Sequence, residues 1–325
     1  MTRCRLAEFR EVHPHVLKLA LPLPFELESV NVYLVAIDGG WMLIDTGMET
    51  EPAFETLRSA MEQRGIAWKD IRLILLTHMH PDHIGQSRRL LELTGAELAM
   101  HEVELRHLHV VTGGGRRIPW LDQVYRDAGV PEALEERMEK HFLGIRKNFH
   151  HLTPDRLYKG GEEIPTAMGP LEVIWTSGHS PGHICLYSRR NKVLFSGDQI
   201  LEKITPNISW HPDRDMLDEF LVSNNRLAPL DVDLILPGHY EPFTGHRTWI
   251  EETAVHHRER CDEIRNLVRR TPQTAHQMVA ELWRRELSPI NHHFAIFEVL
   301  AHLEHMHRRR EVQHRPSNGA LEWHA

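Results

Sequence analysis

Cysteine is scarce: Cys4, Cys185 and Cys261 are the only three in 325 residues. Their odd number and wide separation exclude a disulfide framework and a paired-cysteine zinc knuckle. Long apolar runs are missing too. No stretch reaches the length of a membrane-crossing helix, and the opening Met1 to Arg10 holds no apolar segment of signal-peptide length. The expectation is a cytoplasmic protein with no membrane attachment. Nor is there an excess of positive charge; the formal net charge is −8. That disfavours nonspecific attraction to nucleic acid by the whole molecule, although a local patch stays open. From Arg247 onward lysine is absent, 12 Arg face 11 Asp plus Glu, and Arg308-Arg309-Arg310 is the one dense basic run. It reads as a solvated helix end favoured by the helix dipole. A content of 41% hydrophobic and 26% charged residues suits a soluble globular chain with one large domain and an appendage.

What is abundant is histidine, 26 residues in all. Thr77-His78-Met79-His80-Pro81-Asp82-His83-Ile84-Gly85 follows directly on the apolar run from Ile71 to Leu76. Imidazole is the commonest metal ligand and carboxylate a frequent companion, so this density at a strand end points to a metal site rather than a solvated loop. Thr77 itself reads as a strand residue. Three further segments end apolar stretches in the same way: Thr176 to His183, Leu194 to Asp198 and Leu234 to His239. Each has Gly or Pro beside the polar side chain, which lets the backbone turn sharply. One sheet edge would collect them all. The run Trp41 to Gly47 has the same form and supplies Asp45, placed to orient a ligand histidine from behind. Strand-like runs fall at 16–21, 29–37, 41–45, 71–77, 171–177, 183–188, 192–197 and 232–237, with helical stretches near 50–64, 84–94 and 215–228.

Taken together, His78, His80, Asp82, His83, His179, Asp198 and His239 resemble the ordered ligand set of the metallo-β-lactamase-fold hydrolase superfamily, over residues 16 to 245. The resemblance implies a mixed α/β (α+β) chain folded as a four-layer αββα metallo-β-lactamase sandwich. It implies two divalent metal ions, zinc first, with iron or manganese as alternatives. His78, His80 and His179 would hold one, Asp82, His83 and His239 the other, and Asp198 would bridge them. Asp82, Asp198 and His239 are thereby also the residues expected at the chemistry, with a bridging hydroxide as nucleophile. His183 is expected to begin the next strand in a structural or supporting role. The flavodiiron branch carries Glu where this chain has His80, which disfavours it; a mononuclear-iron persulfide dioxygenase keeps the same histidines.

Between residues 113 and 160 lies a segment that breaks the sandwich pattern. Leu134, Met138, Phe142, Ile145 and Phe149 follow one another at intervals of four, four, three and four, one face of a helix. That face either packs onto the sandwich or roofs the metal cleft, in which case the substrate carries an apolar group. The loop after Asp198 offers Lys203, Asn207 and Trp210 as substrate contacts, and Tyr240 beside His239 is another. The organisation expected is a catalytic domain over 1–246 and a helical, winged-helix-like domain over 247–325. Its helices fall near 247–270, 273–285 and 291–309, before a hairpin turning at Ser317-Asn318-Gly319. Its paired histidines read as surface or half-buried residues.

The first functional expectation is a dinuclear metal-dependent hydrolase of a thioester or ester, acting on a small molecule with an apolar acyl group, alone or as a homodimer. The alternatives are a phosphodiesterase or ribonuclease of the branch with a winged-helix tail, a lactonase and, further off, a persulfide dioxygenase or a non-catalytic binding protein.

Overall fold

The computed structural model describes residues 8–113, 119–146 and 149–325. Cys4, the first seven residues, most of the Gly113 to Arg117 run and the side chains of Phe142 and Ile145 lie outside the described residues. Seven strands form the first sheet in sequence order: β1 (Arg10–His13), β2 (Val16–Pro22), β3 (Ser29–Ile37), β4 (Gly40–Ile44), β5 (Ile71–Leu75), β6 (Glu97–His101) and β7 (Arg156–Tyr158). β1 to β4 pair antiparallel, and β4 to β7 pair in parallel. The second sheet comprises β8 (Glu163–Ile164), β9 (Leu171–Trp175), β10 (Ile184–Ser188), β11 (Val193–Gly197) and β12 (Leu234–Pro237), with only β11 and β12 parallel.

Strand periodicity assigns the layers. In β3, Tyr33 and Val35 turn inward to meet Ile184 and Leu186 of β10, while Val30, Val32 and Leu34 turn outward. The Tyr33 ring meets Phe195 edge-on across the sheets at 5.5 Å. The outward face of the first sheet is covered by α1 (Glu51–Arg64) and, beyond the single turn α2 (Pro81–Ile84), by α3 (Ser87–Thr94). Thr50 caps α1 through the Ala53 amide, and Gly65 ends it at φ +67°. On the second sheet, Cys185 and Tyr187 face Leu227 of the later helix spanning Met216–Leu227 and Ile250 of the one spanning His246–Arg270. The result is the αββα sandwich expected from the sequence.

The helix expected at 84–94 is broken near Gly85 and Gln86. A Cβ on Gly85 would lie 2.5 Å from the Glu49 amide nitrogen, and the Gln86 side chain donates to the Thr46 carbonyl at 2.8 Å, so the chain here is moulded to the loop after β4.

α4 (Glu102–Gly113) leads into the insert, which forms α5 (Pro119–Asp127) and α6 (Glu132–Arg146); then follow α7 (Met216–Leu227), α8 (His246–Arg270), α9 (Ala275–Leu282) and α10 (Pro289–Arg308). Of the insert's apolar face, Leu134, Met138 and Phe149 join the cluster that also holds the outward face of the first sheet, so the described part of the stripe packs with the sandwich and with the tail. Leu121, Val124, Tyr125 and Met138 share a cluster with Ile296, Phe297 and Leu300 of α10, and the Tyr125 hydroxyl lies 2.7 Å from His293 Nδ1. The same cluster takes in β2, β3, α1 and the tail, so packing runs across residue 246. The chain closes in the hairpin β13 (Gln313–Ser317) and β14 (Ala320–His324), turning at Asn318 and Gly319, both at positive φ.

Arg308, Arg309 and Arg310 are exposed at the end of α10, as expected of a solvated helix end, and Arg309 also reaches Asp215 at 3.2 Å and Asp218 at 2.7 Å, at the start of α7. One reading of the tail is corrected. His257 is not half-buried but buried, 3.1 Å from the buried His302. Among the described residues no helix is long and apolar enough to cross a membrane.

Candidate metal centre

Each strand that borders the centre ends just before a polar side chain. Asp45 follows β4 at φ +59°, Thr77 to His83 follow β5, Asp198 follows β11, and His239 lies two residues past β12. His179 and His183 lie in the connection from β9 to β10. Both sheets therefore deliver their ligand-capable residues to one edge. His78, His83, His179, Asp198 and His239 are buried, and His80 and Asp82 are half-buried.

The donor atoms converge in three groups, each within 4.8 Å: His78, His80 and His179; His78, His83 and Asp198; and Asp82, His83 and His239. Four donors around a divalent ion at about 2.0–2.1 Å sit roughly 3.3 Å from one another by tetrahedral geometry. The separations here are of that size. Asp198 Oδ2 is 3.3 Å from His239 Nε2 and 3.6 Å from His179 Nε2, and Asp198 Oδ1 is 3.5 Å from His83 Nε2. Asp82 Oδ2 is 3.4 Å from His239 Nε2, and His78 Nε2 is 3.0 Å from His80 Nδ1. His83 Nε2, His179 Nε2 and Asp198 Oδ1 are buried with no hydrogen-bond partner, a costly state unless a cation takes their lone pairs. Gly238 keeps the space open: a Cβ there would lie 2.2 Å from Asp198 Oδ1. The donor set fits a pair of divalent ions.

A ring of acceptors fixes the tautomers. His179 Nδ1 donates to the Asn207 carbonyl at 2.9 Å, His239 Nδ1 to the Ser29 carbonyl at 2.7 Å, and His83 Nδ1 to Asp45 Oδ2 at 2.8 Å. Asp45 also accepts the Thr77 amide and hydroxyl, both at 2.8 Å. The Thr77 hydroxyl, having spent its hydrogen on Asp45, accepts from His78 Nδ1 at 3.0 Å. Every one of these rings is left with Nε2 as the bare nitrogen facing the centre. Thr77, expected to be a strand residue, lies beyond β5 and belongs to this ring of supports. His183 is buried just before β10, and its Nε2 accepts the Asp198 amide at 3.1 Å.

Three supports were not anticipated from the sequence. Asn31 Nδ2 donates to the carbonyls of Pro237 at 2.9 Å and Tyr240 at 2.7 Å, and the Tyr33 hydroxyl donates to Pro237 at 2.7 Å; together they hold the His239 loop. A buried Asn within an apolar strand was the available signal for the first. Glu104 is fully buried and joins the two histidine-bearing loops, and nothing in its local sequence separates it from neighbouring Glu102.

The charges favour a cation. Burial opposes protonation of His239, yet the Asp198 charge and hydrogen bonds to Asp198 and Asp82 raise it to about 10. His83 is likewise raised against burial by Asp198, Asp45 and Asp82. Burial, with help from His179, pulls His80 down to about 3. The carboxylates thus draw positive charge to the second group, where a divalent ion competes with protons for the same nitrogens.

Of the four residues expected at substrate, Lys203 is exposed with its ammonium 5.5 Å from the Tyr240 ring, and Tyr240 is half-buried at φ +69°. Asn207 donates its side-chain amide to the Phe294 carbonyl of α10 at 3.3 Å, and Trp210 packs on the main core.

The metallo-beta-lactamase superfamily model matches residues 26–239, and the model of the metallo-beta-lactamase-like C-terminal domain matches residues 261–323. The chain is 27% identical over 283 residues to the probable metallo-hydrolase YqjP of Bacillus subtilis (strain 168), covering 82% of this chain and 85% of that one. It is 30% identical over 226 residues to the acyl-coenzyme A thioesterase MBLAC2 of Gallus gallus, covering 67% and 75%. A crystal structure of a metallo-beta-lactamase family protein from Thermus thermophilus superposes with a TM-score of 0.85 at 30% identity, covering 97% of this chain and 99% of that one. The chain belongs to the metallo-beta-lactamase superfamily.

Proposed function

We propose that this protein is a metal-dependent hydrolase of acyl thioesters, with a coenzyme A ester as the favoured substrate. The observation that carries the hydrolytic reading is the convergence of buried, otherwise unpartnered His83 Nε2, His179 Nε2 and Asp198 Oδ1 at the edge where both sheets end. The similarity to acyl-coenzyme A thioesterases supports the thioester. His78, His80 and His179 would hold one ion, Asp82, His83 and His239 the other, and Asp198 would reach both. Two divalent ions so held would supply a nucleophile at neutral pH and would polarise a carbonyl oxygen. The protein's own part is preorganisation. Asp45, Thr77 and the carbonyls of Ser29 and Asn207 keep each imidazole in one tautomer and one orientation, so no rearrangement accompanies the reaction. Tyr240 and Lys203, on the loops that follow His239 and Asp198 and 5.5 Å apart from ammonium to ring, would be the side chains offered to the substrate.

The test is a panel of acyl-CoA, acyl-glutathione, a lactone and bis-p-nitrophenyl phosphate on protein of measured metal content. Acyl-CoA is expected to give the highest kcat/KM, with activity lost on chelation and restored by zinc. Faster cleavage of the phosphodiester, or thioester hydrolysis that survives metal removal, overturns the proposal.

A further inference from the structure

Glu104 is a buried acid with no ion-pair partner among the described residues. It sits in the first turn of α4, and both its oxygens are used on loops that belong to different sheets. Oε1 accepts the Met79 amide at 2.6 Å and the Ser180 hydroxyl; Oε2 accepts the Gly182 amide at 2.6 Å. Met79 lies between His78 and His80. Ser180 follows His179, and Gly182 closes the same loop. One carboxylate therefore grips the loop of two imidazoles from the first sheet and the loop of a third from the second. Gly182 is shaped to this contact, since a Cβ there would lie 2.3 Å from the Glu104 amide nitrogen.

The chemistry requires a carboxylate. Each oxygen receives a backbone N–H, which can only donate, so an amide at this position would turn its NH2 onto one of them. Burying an acid without a cation is costly and fixes nothing in the core that an apolar side chain could not fill. What this group adds is a tie between the two loops at the Met79 and Ser180–Gly182 end, away from the backbone bond of the Ile184 amide to the Thr77 carbonyl at 3.0 Å.

We propose that Glu104 is a positioning residue for the metal site: it sets the spacing between the His78/His80 pair and His179 and thereby the affinity of the ion those three hold. This rests on reading the three imidazoles as ligands, and the test separates the two claims. Zinc is titrated into the full-length metal-free protein in competition with a chromophoric chelator, for wild type, Glu104→Gln and His80→Ala, with His80→Ala identifying the affinity that belongs to the first group. Glu104→Gln is expected to weaken that same affinity roughly ten- to a hundredfold, the usual effect of removing an outer support, and to leave the other within about threefold. The cobalt(II) spectrum of the first site should change with it. If His80→Ala binds zinc as wild type does, the ligand reading fails. If His80→Ala weakens one site and Glu104→Gln weakens neither, or weakens both equally, the positioning role alone fails. Should circular dichroism show Glu104→Gln unfolded, Ser180→Ala decides: it removes one of the three donors, and first-site affinity unchanged from wild type overturns the proposal.

Discussion

Replacing Asp198 with alanine removes the one carboxylate that touches imidazoles of both groups, at 3.5 Å from His83, 3.6 Å from His179 and 3.3 Å from His239. A protein zinc site of four ligands is worth roughly 10–16 kcal/mol, so one ligand is worth about 3 kcal/mol, on the order of a hundredfold in affinity. Asp198 counts toward both ions, and its charge is the largest pull holding positive charge on His239. The backbone is spared, because the bond from the residue-198 amide to His183 does not involve the side chain. The expected outcome is a folded protein that, after dialysis against metal-free buffer, retains at most one ion per chain by elemental analysis. Thioester hydrolysis falls by about a thousandfold or more, since losing an ion removes several kcal/mol of transition-state stabilisation. Retention of two ions with full turnover would refute the dinuclear arrangement.

Asp45→Asn leaves one acceptor oxygen where the carboxylate received three hydrogens, so either His83 or Thr77 faces an NH2. Zinc affinity at the site containing His83 should fall roughly ten- to a hundredfold, measured by chelator competition, with stoichiometry recovered at high zinc. The second prediction concerns pH. Burial holds His302 at about 4 and His257 at about 2, both below the ordinary 6.5, so the pair's stabilisation is complete above 6.5 and is lost as pH falls towards those values. Between pH 7 and 5 wild type should lose roughly 2 kcal/mol per histidine more than the double variant His257→Leu/His302→Leu in urea unfolding. Equal pH slopes would show that the pair is not buried neutral.

The segments that bear the site were legible because each obeys a local rule: an apolar run, a stop, then a polar side chain. His78 to His83, Asp198 and His239 all follow strands whose register is short-range information. Supports that depend on long-range partners were hidden. Glu104 and Glu102 occupy the same acidic helical turn, and only the distant Met79 and Gly182 distinguish them. His257 carries the pattern of an exposed helix, because periodicity does not say which other helix will cover a face. The insert shows the same limit: its apolar stripe was readable from spacing, whereas its partner α10 comes more than a hundred residues later.

The loop around Asn207 is held at both ends, its carbonyl by the imidazole of His179 and its amide by the carbonyl of Phe294. What α10 contributes at that point is a peptide unit, not a side chain. Any residue that keeps the helix turning serves equally well at 294, so the dependence of a metal-facing ring on the tail leaves no trace in residue identity. It would surface only when the helix itself is bent or shifted, as a loss of function from a position that looks free to vary.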